Sequence, residues 1–218
     1  MTKLAFIHTV ESLPATFEAL AAELDAGLET AHTVDETLLA DAIEAGAVPP
    51  DTAGRLEAHV RAALDAGADL VLVTCSSMGG ATDDLAARTG WPVARVDEAM
   101  VDRALELGSR IGVLATLRST LEPTAALVRR RAGEREVVVV PRLAEGAFRA
   151  LKAGEPERHD ELVRASFRSL LGTVDVIVLA QASMARVADS IAAEAAGTPI
   201  LVSPRLGVER AVARLHDD

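Results

Sequence analysis

Apolar positions along this chain fall into two alternating patterns. Short aliphatic runs rich in Val, Ile and Leu are separated by longer stretches in which apolar residues recur every three or four positions. The first pattern fits strands and the second amphipathic helices. Strands are expected at residues 3–8, 29–33, 69–74, 92–96, 110–115, 137–140, 175–180 and 199–202. Helices are expected between them, among others at 12–26, 55–66, 119–131 and 159–171. Several strands are unbroken aliphatic runs, such as VVVV at 137–140, and such runs need cover on both faces. Strands and helices in alternation build parallel βα units. The connections are short, with no linker rich in Pro, Gly or Ser.

The pattern also repeats. DLVLVTCSSM at 69–78 aligns without a gap with DVIVLAQASM at 175–184, an offset of 106. KLAFIHTVES from residue 3 aligns with RIGVLATLRS from residue 110, an offset of 107 that sets Thr9 on Thr116 and Ser12 on Ser119. At the same offset Gly90 and Pro92 match Gly197 and Pro199, and VDRA from 101 matches VERA from 208. Any two βα units share aliphatic character, but blocks in the same order at a nearly constant offset mark an internal duplication. The expected fold is α/β, with two pseudo-symmetric lobes that each hold a roughly four-stranded parallel sheet flanked by helices. The first lobe takes residues 1–97 with a C-terminal helix at 206–218, and the second takes 98–205. Ligands of open α/β sheets sit beyond the carboxyl ends of the strands. The duplication is therefore expected to set the loops after Val73 and Leu179 on opposite sides of one cleft.

Composition narrows the function classes. The chain has 218 residues, half of them hydrophobic, with no tyrosine and one tryptophan, a profile of aliphatic packing in a soluble α/β protein. A formal net charge of −11 argues against a nucleic-acid partner, which calls for clustered Lys and Arg. The densest basic run, Arg129–Arg131, falls at the expected C-terminal end of a helix, where it complements the helix dipole. One cysteine excludes an intrachain disulfide and a zinc site of several thiolates. The opening MTKLAFIHTVESLP has too short an apolar core for a signal peptide. No apolar run approaches the roughly 20 residues that span a bilayer. The expectation is a cytoplasmic protein with neither a nucleic-acid nor a membrane partner.

Candidate chemistry sits at the strand ends. TCSSMGG at 74–80 follows a strand and opens a helix, with Ser76 and Ser77 as N-cap candidates and glycines that admit a ligand close to the backbone. Free N–H groups at a helix start favour an anion and lower a thiol's pKa, so Cys75 is expected to carry more thiolate than a free cysteine. The alternative is an inert buried cysteine; polar flanks and a position past the apolar run favour the functional one. Thr116 ends another strand, with Ser119 or Thr120 expected to cap the next helix, and Thr9 is its repeat equivalent. Their hydroxyls either hold a carboxylate or only cap helices. Ser183, the counterpart of Ser77, carries the same two readings. His8 ends the first strand and titrates near neutral pH when unperturbed, which makes it an acid–base candidate or an ordinary hydrogen-bonded residue. His32 carries the same alternatives. His59 and His159 fall on helices and His216 in the tail, where solvation accounts for them. No spacing of His, Asp and Glu suggests a metal site, and no glycine-rich phosphate loop suggests a nucleotide cofactor.

DLVLVTCSSMGG, RIGVLATLRST and DVIVLAQASM, in this order, resemble the aspartate/glutamate/hydantoin racemase superfamily over nearly the whole chain. The resemblance implies two pseudo-symmetric Rossmann-like α/β lobes, a homodimer, and catalysis without pyridoxal phosphate, other cofactor or metal. It implies two strand-end cysteines on opposite faces of a small carboxylate substrate, one removing the α-proton and the other returning it. Cys75 matches the first-half cysteine, Ser76, Ser77 and Thr116 match positions that help hold the carboxylate, and Met184 resembles the Met after the second cysteine. Gln181 stands where that second cysteine belongs, and an amide does not transfer protons at physiological pH. The resemblance thus implies a cofactor-independent racemase or isomerase with Cys75 as its reactive thiol. Gln181 replaces the second cysteine, and His8 is the further acid–base candidate. Thr9, Thr74, Ser76, Ser77, Thr116, Ser119, Ala182 and Ser183 are the expected substrate-binding positions. Two alternatives follow from the missing thiol: a single-cysteine decarboxylase or lyase of the arylmalonate decarboxylase type, or an inactive carboxylate-binding protein.

Overall fold

The computed structural model describes residues 2–195 and 197–217; Met1, Ala196 and Asp218 lie outside the described residues. In chain order the elements are β1 (Lys3–His8), α1 (Leu13–Leu24), β2 (Glu29–Val34), α2 (Glu36–Ala45), α3 (Pro50–Asp65), β3 (Leu70–Val73), α4 (Gly79–Thr89), β4 (Val93–Arg95) and α5 (Glu98–Leu107). They continue with β5 (Arg110–Ala115), α6 (Arg118–Ala132), β6 (Val138–Leu143), α7 (Ala147–Lys152), α8 (Pro156–Arg168), β7 (Val176–Leu179), α9 (Ala185–Ala192), β8 (Ile200–Val202) and α10 (Ser203–His216). The chain divides into two compact units, Met1–Ala99 with Pro204–Asp218, and Met100–Ser203. Among the described residues no helix is long and apolar enough to cross a membrane.

Each unit holds a four-stranded parallel sheet. The orders are β2-β1-β3-β4 and β6-β5-β7-β8, one topology used twice. The central strands read LVLV and VIVL and are buried at every position, as strands covered on both faces must be. The outer strands read differently. β2 is the half-exposed ETAHTV, and β6 runs through Pro141, tolerable because an edge strand needs no N–H on its open side. Helix faces close over the sheets, for example Leu56 and Val60 of α3 in the first core, and Val163 and Phe167 of α8 in the second.

The duplication extends to individual hydrogen bonds. Asp69 accepts from the backbone N–H of Lys3, and its counterpart Asp175 accepts from those of Ser109 and Arg110, both at 2.8 Å. Each carboxylate fixes the start of one central strand against the next. Gly90 and Gly197 both turn with positive φ, 69° and 87°, which a side chain would disfavour. The three arginines at the end of α6 lie in its last turn, as expected, and Arg131 also forms a two-pronged pair with Asp102.

The first unit carries one charged feature without a counterpart in the repeat. Arg95, at the end of β4, is 3% exposed, and its guanidinium donates to both oxygens of the fully buried Asp97, at 2.6 and 2.9 Å, and to Asp83 at 2.8 Å. Gly79, the first residue of α4, lies against that guanidinium so closely that a Cβ there would overlap it. Glycine at this position is what admits the guanidinium so close to the start of α4. Replacing Asp97 with Asn would leave a buried cation half-paired, and we expect a loss of about 3 kcal/mol, read as a lower urea midpoint at unchanged slope.

Candidate functional site

β3 ends at Val73 and the chain passes at once into the thiol loop. Its backbone is held by two bonds, Thr74 N–H to the Ile7 carbonyl at 2.9 Å and Met78 N–H to the Cys75 carbonyl at 3.0 Å. In the second unit Ala180 N–H meets the Leu114 carbonyl at 2.9 Å, and Met184 N–H meets the Gln181 carbonyl at 2.9 Å. The two loops are the same structure. Cys75 and Gln181 occupy equivalent extended positions, each leading into a short 3-10 turn, Ser76–Met78 and Ala182–Met184.

This geometry corrects the expected caps. Ser76 and Ser77 do not cap α4; they lie buried inside the turn, and Met78 is the N-cap residue with no side-chain bond. Ser119 and Thr120 likewise lie inside the first turn of α6, with Leu117 at its cap. Ser119 Oγ is buried without a hydrogen-bond partner. The turn consumes the residues that a strand-to-helix reading assigns to capping.

Within the first unit, the Cys75 sulfur is hydrogen-bonded to the Thr9 side chain and to the backbone N–H groups of Ser77 and Met78. Within the second, Gln181 Oε1 accepts the Thr116 N–H at 2.6 Å and the Thr116 hydroxyl at 2.9 Å. Thr9 and Thr116 are repeat equivalents, so each threonine reaches the side chain after its own central strand. Two donors fill both lone pairs of the Gln181 oxygen. They also settle which end of the amide is which, because a backbone N–H can only donate. The Nε2 end carries two N–H groups and is what Gln181 has left to offer.

The thiol's charge state differs from expectation. Burial pushes the Cys75 pKa up from its ordinary value, and the hydrogen bonds from Thr9, Ser77 and Met78 pull it down without prevailing. Cys75 is therefore a protonated thiol at neutral pH rather than an enriched thiolate.

Thr74 is 3% exposed, Thr9 2% and Thr116 6%, whereas Gln181, Ala182 and Ser183 are half-buried. His8 is fully buried and both its nitrogens are engaged, Nδ1 with Thr74 Oγ1 at 2.9 Å and Nε2 with His32 Nδ1 at 2.9 Å. Burial, then the neighbouring His32, lowers its pKa to about 4, so the expected titration near neutral pH does not hold for this ring. His32 lies inside β2 and joins Glu18 of α1 at 2.9 Å. Glu18 leaves no signal in the sequence, because helix periodicity alone does not say which carboxylate meets which strand. His159 is buried rather than solvated, while His59 and His216 pair with Asp35 and Asp25. Among the described residues no cluster of three His, Cys, Asp or Glu side chains is arranged to hold a metal ion.

Two measurements follow. The main rise in the alkylation of Cys75 by iodoacetamide should fall above about pH 8.5, the value of a free thiol; a main rise centred below that would contradict the buried, protonated state. His8 binds a proton near pH 6.5 when unfolded and near 4 when folded, so acidification favours the unfolded chain between those values. Stability should fall by about 3 kcal/mol from pH 6.5 to pH 4 and no further from this group below that. His8→Gln should flatten that slope in urea titrations.

The comparisons with known proteins agree with this architecture. The Asp/Glu/Hydantoin racemase family model matches residues 8–211. The chain is similar to an allantoin racemase from Klebsiella pneumoniae at 18% identity, covering 99% of this chain and 88% of that one with a TM-score of 0.69. It is similar to a glutamate racemase from Francisella tularensis, solved with D-glutamate, at 11% identity over 99% and 81% of the chains with a TM-score of 0.76. It is also similar to an unliganded arylmalonate decarboxylase at 15% identity over 99% and 93%, with a TM-score of 0.61. A search of curated proteins finds no match. With the family model spanning nearly the whole chain, and the same sheet order built twice, the protein belongs to the Asp/Glu/hydantoin racemase family.

Proposed function

We propose that this chain is a cofactor-independent enzyme of the isomerase type acting on a small carboxylate, with Cys75 as its reacting thiol and Gln181 as a fixed hydrogen-bond donor. The observation that carries this reading is the saturation of the Gln181 carbonyl by Thr116. An amide held in this way gives and takes no protons near neutral pH, but its two N–H groups suit a carboxylate or enediolate oxygen. Thr9, Thr74, Ser76 and Ser77 support the thiol loop. Thr116 holds the Gln181 amide in place, and Ser119, Ala182 and Ser183 serve the carboxylate. The orphaned Ser119 hydroxyl supports that assignment, as does the start of α6, where the positive end of the helix dipole favours an anion. With one titrating group the proton is taken and returned on a single face. The fitting isomerisation is a one-base proton shift or a reversible thiol addition, rather than inversion between two thiols.

A second reading draws on the charge state of Cys75. A neutral thiol is an acid ready to protonate an enediolate left by loss of carbon dioxide, which is decarboxylase chemistry.

Cys75→Ala should abolish turnover on an identified carboxylate while leaving its binding and the circular dichroism spectrum intact; full activity in that variant would refute a thiol-centred reaction. In deuterated water, α-deuterium incorporation with an intact carbon skeleton supports the isomerase, and release of carbon dioxide supports the decarboxylase. Gln181→Cys should add racemisation where the parent has none, measured by chiral chromatography. An unchanged product configuration would argue against position 181 as a site for a second proton donor.

A further inference from the structure

A continuous line of hydrogen bonds runs from the thiol loop to the surface of the first unit. Thr74 Oγ1 meets His8 Nδ1, His8 Nε2 meets His32 Nδ1, and His32 Nε2 meets Glu18 Oε2, each at 2.9 Å. Thr74 and His8 are buried, the His32 side chain is 19% exposed and that of Glu18 54%. The line therefore begins in the core and ends in water. The planes of the two imidazoles are within 10° of parallel, Phe6 lies within 17° of both, and Phe17 is tilted against His8. Neither ring is free to turn.

Counting protons along this line leaves two arrangements. Glu18 is held below the usual carboxylate range by the Thr30 hydroxyl and then by His32, so it only accepts and His32 Nε2 must carry a proton. When His32 is protonated on both nitrogens, its Nδ1–H donates to His8 Nε2 and His8 Nδ1–H donates to Thr74. The Thr74 hydroxyl then donates to the Ile7 carbonyl at 3.1 Å. When the line holds one proton fewer, every bond inward of Glu18 reverses. His8 Nε2–H now donates to His32, and the Thr74 hydroxyl donates to His8 Nδ1. The Ile7 carbonyl keeps the Thr74 N–H. No heavy atom has to move.

The other charged groups on the elements around β1 are engaged elsewhere. On α1, Glu23 pairs with Arg205, and on β2 Glu29 pairs with Lys3. On α3, His59 pairs with Asp35, Arg55 with Asp41, and Arg61 with Glu57, which also takes Arg88. Asp51 and Asp65 stand at the exposed ends of α3. Asp69, just before β3, accepts from the Lys3 N–H, Glu11 is exposed beyond β1, and Cys75 follows Thr74 directly.

We propose that Thr74, His8, His32 and Glu18 form a one-proton switch, in which a proton gained or lost at part-buried His32 reverses the hydrogen bond of the hydroxyl of Thr74, the residue before Cys75 in the chain. His8, His32 and Glu18 are positioning residues that act through Thr74. The inference rests on the proposed function only in treating Cys75 as the reacting group; the switch itself belongs to the first unit.

Nitrogen-15 NMR of the histidine side chains in the intact protein tests it without a substrate, so failure of the carboxylate-enzyme reading leaves this result untouched. As pH rises, the His8 proton should shift from Nδ1 to Nε2 over the same interval in which His32 passes from two N–H groups to one. His8 remaining on one nitrogen through that interval overturns the switch. The pH profile of Cys75 alkylation by iodoacetamide gives a second readout. The parent protein should show an inflection from the relay beside that of the thiol, and His32→Gln should lose the first and keep the second. A single inflection in the parent, or both persisting in the variant, overturns the proposal. If His32→Gln fails to fold, the NMR titration of the parent decides alone.

Discussion

The bond from a strand-end threonine to the first side chain beyond its central strand organises both halves of this protein. In one half Thr9 meets the Cys75 sulfur, and in the other Thr116 saturates the Gln181 carbonyl. Identical topology and loop hydrogen bonds place these side chains alike, so the chemical difference between the halves comes down to what the threonine finds. A sulfur held there can exchange a proton. An amide held there presents N–H groups and nothing that titrates. The duplication thus supplies two equivalent mounts, and the sequence has put different tools on them.

Burial explains why the thiol is not simply activated. Parallel sheets covered on both faces put their strand ends close to the core, and Cys75 is 9% exposed. Desolvation disfavours the thiolate more than three hydrogen-bonding neighbours favour it. The same burial acts on His8, one strand away, and keeps that ring neutral. Charge in this region is carried at the outer end of the histidine line and by Arg95 with Asp97 and Asp83, where full opposite charges lie within hydrogen-bonding distance.

Much of the fold is legible in the chain because covered parallel strands leave an unmistakable aliphatic signature. LVLV and VIVL appear as strands within a residue or so of their expected bounds, and 3–8 and 110–115 match β1 and β5 outright. β6 runs three residues beyond the expected 137–140, because an edge position accommodates Pro141 and Arg142 that a central strand would not. The site is legible only in part. The alignment of the two loops identifies Cys75 and Gln181 as equivalents, but the 3-10 turns that take up Ser76, Ser77 and Ser183 leave no periodic trace. The His8–His32 contact depends on the parallel register that sets His32 opposite Phe6, and its continuation to Glu18 depends on how α1 lies over the sheet. Neither follows from residue spacing along the chain. His159 is buried, contrary to the solvation expected of a polar residue on a helix, because it faces inward from α8 with Val163 and Phe167.

The pinned amide of Gln181 also has a fixed polarity. A freely rotating glutamine adapts to a donor or an acceptor by turning over, and so discriminates weakly. Here turning over would set N–H against the Thr116 N–H and leave two donors facing each other. The residue is therefore committed to one polarity. Under the proposed function, a ligand oxygen would meet its N–H groups, while an ammonium or amide N–H at the same point would meet a like dipole.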